Sequence, residues 1–130
     1  FYENFRCMET HFDWDLNWIY CSSDHPFAPH KRYNAFLASS EPVFAFDGDL
    51  SKFCGGVGTI TKLDASAYAL FQRPDIVVKG LDCSNSEAAL FVLGAVLQHK
   101  IVLAPGESKE IYMVMGVSES VEEAISVGRQ

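Results

Sequence analysis

From Phe12 to Tyr20 every second residue is large and apolar: Phe12, Trp14, Leu16, Trp18 and Tyr20 alternate with polar Asp13, Asp15 and Asn17, and His11 precedes them. Side chains two apart share a face only on a strand, whereas a helix aligns residues three and four apart. The segment is therefore β. Two arrangements satisfy it. One is a single half-buried strand. The other is a hairpin that turns within Asp13–Asn17, where three residues favour turns, and joins strands at Phe5–Phe12 and Trp18–Ser22.

The rest of the chain continues in short pieces. Ser22–Pro29 holds two prolines and is a loop. Tyr33–Ser39 and Val43–Phe46 are strands separated by Glu41-Pro42, and Phe46–Asp49 is a turn or cap in which Asp49 N-caps a helical turn running through Phe53. Cys54–Gly58 is a glycine-rich connection, followed by weaker apolar pieces at Ala65–Phe71 and Ile76–Val78. Ala88–Leu97 is apolar on all sides, so its period fits helix or strand; beyond it, Leu97, His99, Ile101 and Leu103 alternate. Ala104-Pro105-Gly106-Glu107 places Pro second and Gly third, a type II turn. Lys100–Val117 is accordingly expected to form a hairpin, with its first strand reaching back to about Ala88. Ser120-Val121-Glu122-Glu123 has the capping-box spacing that starts a helix.

With 48% hydrophobic and 21% charged residues, the 130-residue chain can bury the core of one domain. Its longest apolar run, Ala88–Leu97, is too short for a membrane span, which needs roughly 18–20 residues. A net charge of −7 disfavours a phosphate backbone as partner. Cys7, Cys21, Cys54 and Cys83 are irregularly spaced without a Cys-x-x-Cys pair, which suits free thiols and a cytoplasmic location. The chain opens at Phe1 with neither Met nor a basic leader, as an excerpt of something longer would.

No catalytic constellation stands out. Cys21, His25 and His30 near Asp24 make one loose cluster, where zinc sites use two close ligand pairs; no metal site is expected. Gly55-Gly56-Val57-Gly58 lacks the Gly-Lys-Ser/Thr ending of a phosphate loop. The carboxylate doublets Asp13/Asp15, Asp47/Asp49 and Glu122/Glu123 are explained by turns and caps. Trp14 and Trp18, flanked by Asp13, Asp15 and Asn17, are the candidates for stacking on a sugar ring, against the simpler reading that they pack a sandwich core.

Three strings carry a resemblance: Ala35-Phe36-Leu37-Ala38-Ser39-Ser40-Glu41-Pro42, then Phe46-Asp47-Gly48-Asp49, then Phe53-Cys54-Gly55. In this order they resemble the N-terminal β-sandwich of glycoside hydrolase family 94, the cellobiose phosphorylase and cyclic β-1,2-glucan synthase group. Leu103-Ala104-Pro105-Gly106-Glu107 is similar to a turn of that group, and Met8-Glu9-Thr10-His11-Phe12 resembles a stretch on its glucan-synthase side. The chain departs at Leu50, where the family has Arg, and at Ser84-Asn85-Ser86-Glu87, which replaces an Asp-Pro-containing approach.

The resemblance implies an all-β fold: an antiparallel β-sandwich, supersandwich-like and galactose-mutarotase-like, over residues 1–118, with 119–130 starting a short C-terminal linker helix. It implies a parent enzyme whose (α/α) barrel performs inverting phosphorolysis or synthesis of β-glucans, with inorganic phosphate as co-substrate and no resident cofactor. Phosphate is itself a nucleophile, so a single carboxylic acid suffices to protonate the leaving oxygen. That acid would lie in the barrel, and no residue here inherits a catalytic role. The implied partners are the barrel and its oligosaccharide, and an uncovered apolar face would let the isolated piece form a homodimer. The alternative is a stand-alone carbohydrate-binding sandwich.

Overall fold

The computed structural model describes residues 8–23, 33–55, 73–88 and 93–128. Within them lie, in chain order, β1 (Met8–Asp13), β2 (Trp18–Ser23), β3 (Tyr33–Ser39), β4 (Ala45–Asp49), α1 (Leu50–Cys54), α2 (Asp75–Lys79), β5 (Leu93–Gln98), β6 (Met113–Ser118) and α3 (Val121–Gly128). Every pairing between strands is antiparallel, in two sheets ordered β1-β2-β3-β6 and β4-β5. The fold is all-β, with few and short helices.

The alternation at Phe12–Tyr20 is a hairpin, not one continuous strand. β1 and β2 pair with Phe12 opposite Ile19 and Asp13 opposite Trp18. Asp13 Oδ1 accepts the Asp15 and Leu16 amides at 2.9 and 3.1 Å, and Asn17 takes the left-handed φ of 55° that closes the turn. Asn17 also ties the turn to the β3–β4 connection: Nδ2 donates to the Ser39 carbonyl at 2.8 Å and to that of Glu41, while Oδ1 accepts the Val43 amide at 2.7 Å.

Turning the chain here sends its aromatics to opposite faces of the four-stranded sheet. Phe12 and Ile19 join Val43 and Phe46 between the sheets, with Leu37 and Leu97 against them; Phe12 stacks on Phe46 at 4.3 Å. On the outer face Trp18 and Phe36 bury Ala124 of α3, with Leu16, Tyr20, Ala38 and Ile125 around them. The α3 start uses half of the anticipated capping box. Ser120 Oγ accepts the Glu123 amide at 3.0 Å, but the Glu123 carboxylate accepts from Ser118 Oγ instead of reaching back to Ser120.

Asp49 caps α1 as its position suggests, accepting the Ser51 amide at 2.9 Å, and Gly55 ends the helix at φ 80°. Leu50, where the family pattern has Arg, lies so close to β5 that a Cβ on Gly94 would come 2.2 Å from Leu50 Cγ. Ile76–Val78 is part of α2, closed by an Asp75–Lys79 pair at 2.5 Å. Val43–Phe46 is displaced: the strand is Ala45–Asp49, so Asp47 belongs to the ladder and not to a turn.

The hairpin expected over Lys100–Val117 does not form. Its turn does: the Glu107 amide donates to the Ala104 carbonyl at 2.9 Å and Gly106 has φ 82°. Yet β5 ends at Gln98 and pairs with β4, whereas β6 pairs with β3 in the other sheet. The turn closes four residues only; which sheet each arm joins is decided by non-local burial. In the first arm β5 covers Leu93–Gln98, and Ala88 itself belongs to a separate structure described below. Ala65–Phe71 and most of the Ser22–Pro29 loop lie outside the described residues.

Candidate functional site

Among the described residues the buried charged side chain is Asp47, which is wholly inside. Oδ1 accepts from the Ser84 amide at 3.0 Å, Ser84 Oγ at 2.6 Å, the Ser86 amide at 3.3 Å and Ser86 Oγ at 2.8 Å. Asn85 locks the same segment from the opposite side, with its amide on the Phe46 carbonyl at 2.8 Å and its Oδ1 accepting the Phe46 amide at 3.0 Å. The Gly48 amide then donates to the Ser86 carbonyl at 2.6 Å, an approach open only to glycine because a Cβ there would lie 2.2 Å from Thr10 Oγ1.

The segment next crosses to the other sheet. The Thr10 amide donates to the Ala88 carbonyl at 2.8 Å, the Ala88 amide to Thr10 Oγ1 at 2.8 Å, and the Phe12 amide to the Glu87 carboxylate at 3.0 Å. Ser84–Ala88 is thus a strap sewn to β4 on one side and β1 on the other. This is the run that departs from the family pattern. Four donors on Oδ1 make Asp47 the anchor of the strap, while its Oδ2 is buried without a partner among the described residues.

Cys83 enters the strap beside this carboxylate. Burial first, then the charge of Asp47 and a hydrogen bond to it, push its thiol from 9.0 up to about 12. Burial likewise raises Cys21 and Cys54, and all three are unpaired. None is poised as a thiolate nucleophile near neutral pH. The pH consequence has a definite sign. Below about 9 the Cys83 thiol is protonated in both states; between there and about 12 the unfolded chain ionises while the fold still holds its proton, so stability falls as pH rises through that window. Thermal melts of wild type and Cys83→Ser over this range are expected to show wild type losing stability faster.

The two candidate tryptophans do not form one platform. Trp14, at the hairpin tip, is 54% exposed and set edge-on to Phe12 and Phe46, at 4.5 and 5.7 Å between ring centroids. Trp18 is 2% exposed under α3 on the other face, and its indole N–H has no acceptor among the described residues. Only Trp14 offers surface to a sugar. Two of the three flanking polar groups that made the pair attractive are committed to the turn: Asp13 to its own loop, and Asn17 to the β3–β4 connection.

An apolar cleft of about 430 Å³ lies between the sheets, lined by Ile19, Leu37, Leu93 and Met115 with Thr10 and Cys21. Neither tryptophan and no carboxylate borders it. The remaining histidines have local partners: His11 lies 3.3 Å from Glu9 and 3.6 Å from Glu87, and His99 Nε2 is 2.8 Å from Ser39 Oγ. His25 and His30 are outside the described residues. The strap, a buried polar network among the described residues, left a faint trace in the sequence: two serines around an asparagine, far from the aspartate they bind.

Comparison with known proteins gives two findings. A family model described as "Glycosyl hydrolase 94, supersandwich domain" matches residues 2–130. A solabiose phosphorylase of Paenibacillus borealis is 28% identical over 102 residues, a match covering 78% of this chain and 12% of that protein.

Proposed function

Because the chain belongs to glycosyl hydrolase family 94 as a supersandwich domain, we propose that it is the non-catalytic β-sandwich part of a glycoside phosphorylase or β-glucan synthase. The observation carrying this reading is the family match across residues 2–130, which coincides with a fold of two antiparallel sheets. The interior agrees with it, since Oδ1 of the core carboxylate is held by four donors of the strap and the cleft is bordered by apolar groups. The chemistry would then be inverting phosphorolysis, or the reverse synthesis, of a β-linked glucan in an (α/α) barrel in the cytoplasm. Residues 1–118 pack beside that barrel, and the helix within 119–130 leads toward it.

The curated relative is a phosphorylase and the match spans only 12% of it, so a domain exchange tests the reading. With its corresponding segment replaced by this chain, the solabiose phosphorylase is expected to fold and to retain phosphate-dependent cleavage of solabiose. The isolated chain, given inorganic phosphate and a β-glucan, is expected to release no sugar phosphate. Turnover by the chain alone would overturn the proposal.

A second reading, a self-standing carbohydrate-binding sandwich, is favoured by the exposed ring of Trp14. Trp14 is its stacking residue, and Trp18, the other tryptophan singled out by the sequence, shapes the hairpin that presents it.

A further inference from the structure

We propose that the imidazole of His11 is a pH-dependent clasp between the strap and β1, bridging the Glu9 and Glu87 carboxylates when doubly protonated and releasing one of them when neutral. The clasp acts at an edge of the larger sheet, where an open strand is a template for another strand and needs cover. The strap supplies that cover. It takes the outward amide of Thr10 at the Ala88 carbonyl and that of Phe12 at the Glu87 carboxylate.

Glu87 is the less secure of these two points. Its side chain is half exposed, and a long side chain gives up rotamer freedom by staying on one amide. One oxygen, Oε1, accepts the Phe12 amide at 3.0 Å, and the other, Oε2, lies 3.6 Å from His11 Nδ1. The opposite ring nitrogen, Nε2, lies 3.3 Å from Glu9 Oε2. Each nitrogen therefore faces a carboxylate of its own. A neutral imidazole carries one N–H and one lone pair, so it serves one carboxylate and turns the lone pair to the other. Only the imidazolium has a donor for both.

The other groups around the ring keep the sense of the switch. Tyr20, its cross-strand neighbour on β2, lies 5.3 Å away between ring centroids. Burial first, then the charges of Asp13 and Glu87, push its phenol above the usual 10.0, so it stays neutral while histidine titrates. Asp13, two residues along the same face of β1, adds a third negative charge. A positive ring meets only attraction among these groups. Histidine changes charge between about pH 5 and 8, where carboxylates ordinarily stay ionised. The clasp is accordingly whole at the acid end, and its contribution is lost as the pH rises through that window.

Amide exchange read residue by residue by NMR, at about pH 5.5 and about pH 8, compares wild type with His11→Gln on either side of the titration. Each comparison is made at one pH, so the intrinsic exchange rate cancels. At the acid pH the Phe12 amide is expected to exchange about two- to fivefold more slowly in wild type, the range for an exposed ion pair. At the alkaline pH the two proteins should match. Glu87→Gln, which keeps an oxygen for the Phe12 amide and removes the charge, should flatten the pH response as well. A gap between wild type and His11→Gln of equal size at both pH values would reduce the ring to packing and overturn the clasp. No gap at either pH would overturn it too, as would a response that survives Glu87→Gln.

Discussion

Asp47→Ala is expected to lower the stability of the chain by about 2–4 kcal/mol, the loss that follows when hydrogen-bond donors lose a charged buried acceptor. The alanine would leave two serine hydroxyls and two backbone amides without their acceptor, the Ser86 pair buried and the Ser84 pair within reach of water. Each stranded donor costs about 1–3 kcal/mol, but the hydroxyls can rotate toward other oxygens, so the four penalties do not add. The loss reaches beyond β4. The strap that Asp47 holds is also the seal of β1, so its release loosens both the join between the sheets and the edge of the larger one. A domain of this size commonly has about 5–15 kcal/mol in total, which makes this aspartate a large share. The internal control is two residues away. Asp49 sits at a helix N-cap, and Asp49→Ala should cost only about 1 kcal/mol. Asp47→Asn, which keeps an acceptor oxygen but not the charge, should fall between them. Urea unfolding of the three variants gives the order; equal losses at 47 and 49 would show that the strap does not hold the sheets together.

The same two aspartates mark where sequence information ended. Asp49 could be placed because capping is local: the side chain meets an amide two residues on. The turn of the β1–β2 hairpin was legible for the same reason, Asp13 and Asn17 acting within a few residues of themselves. Asp47 finds its partners 37 and 39 residues away, and from the string alone an Asp-Gly-Asp run looks like a turn. The hairpin predicted at Lys100–Val117 failed at that boundary. The Pro-Gly turn formed, while β6 took its partner from β3, some eighty residues earlier in the chain. Family membership was legible because short strings in a fixed order survive where long-range contacts are invisible. The site was less so. Alternation placed Trp14 and Trp18 on one face, and the turn between them sends their side chains to opposite ones.

Trp18→Ala is the second large loss, about 3–5 kcal/mol for an indole deleted from a closed core. Phe36 and Ala124 lose their common neighbour, and with it α3 loses its seat on the sheet. Trp14→Ala, at a half-exposed tip, should cost under about 1 kcal/mol. The contrast separates the two roles that the sequence offered these residues. If the isolated domain binds a soluble glucan, Trp14→Ala should abolish binding in a protein that melts like wild type. Trp18→Ala should weaken it only in proportion to unfolding. Trp18→Phe sharpens the distinction, because the indole N–H is buried without an acceptor. Phenylalanine keeps most of the ring and removes that orphan donor, so the loss of packing and the relief of an unsatisfied group oppose each other. The net change should stay within about 1 kcal/mol, with glucan binding untouched. Loss of glucan binding in a stably folded Trp18→Phe domain would mean that the buried indole reaches the sugar through a motion absent from this arrangement of α3.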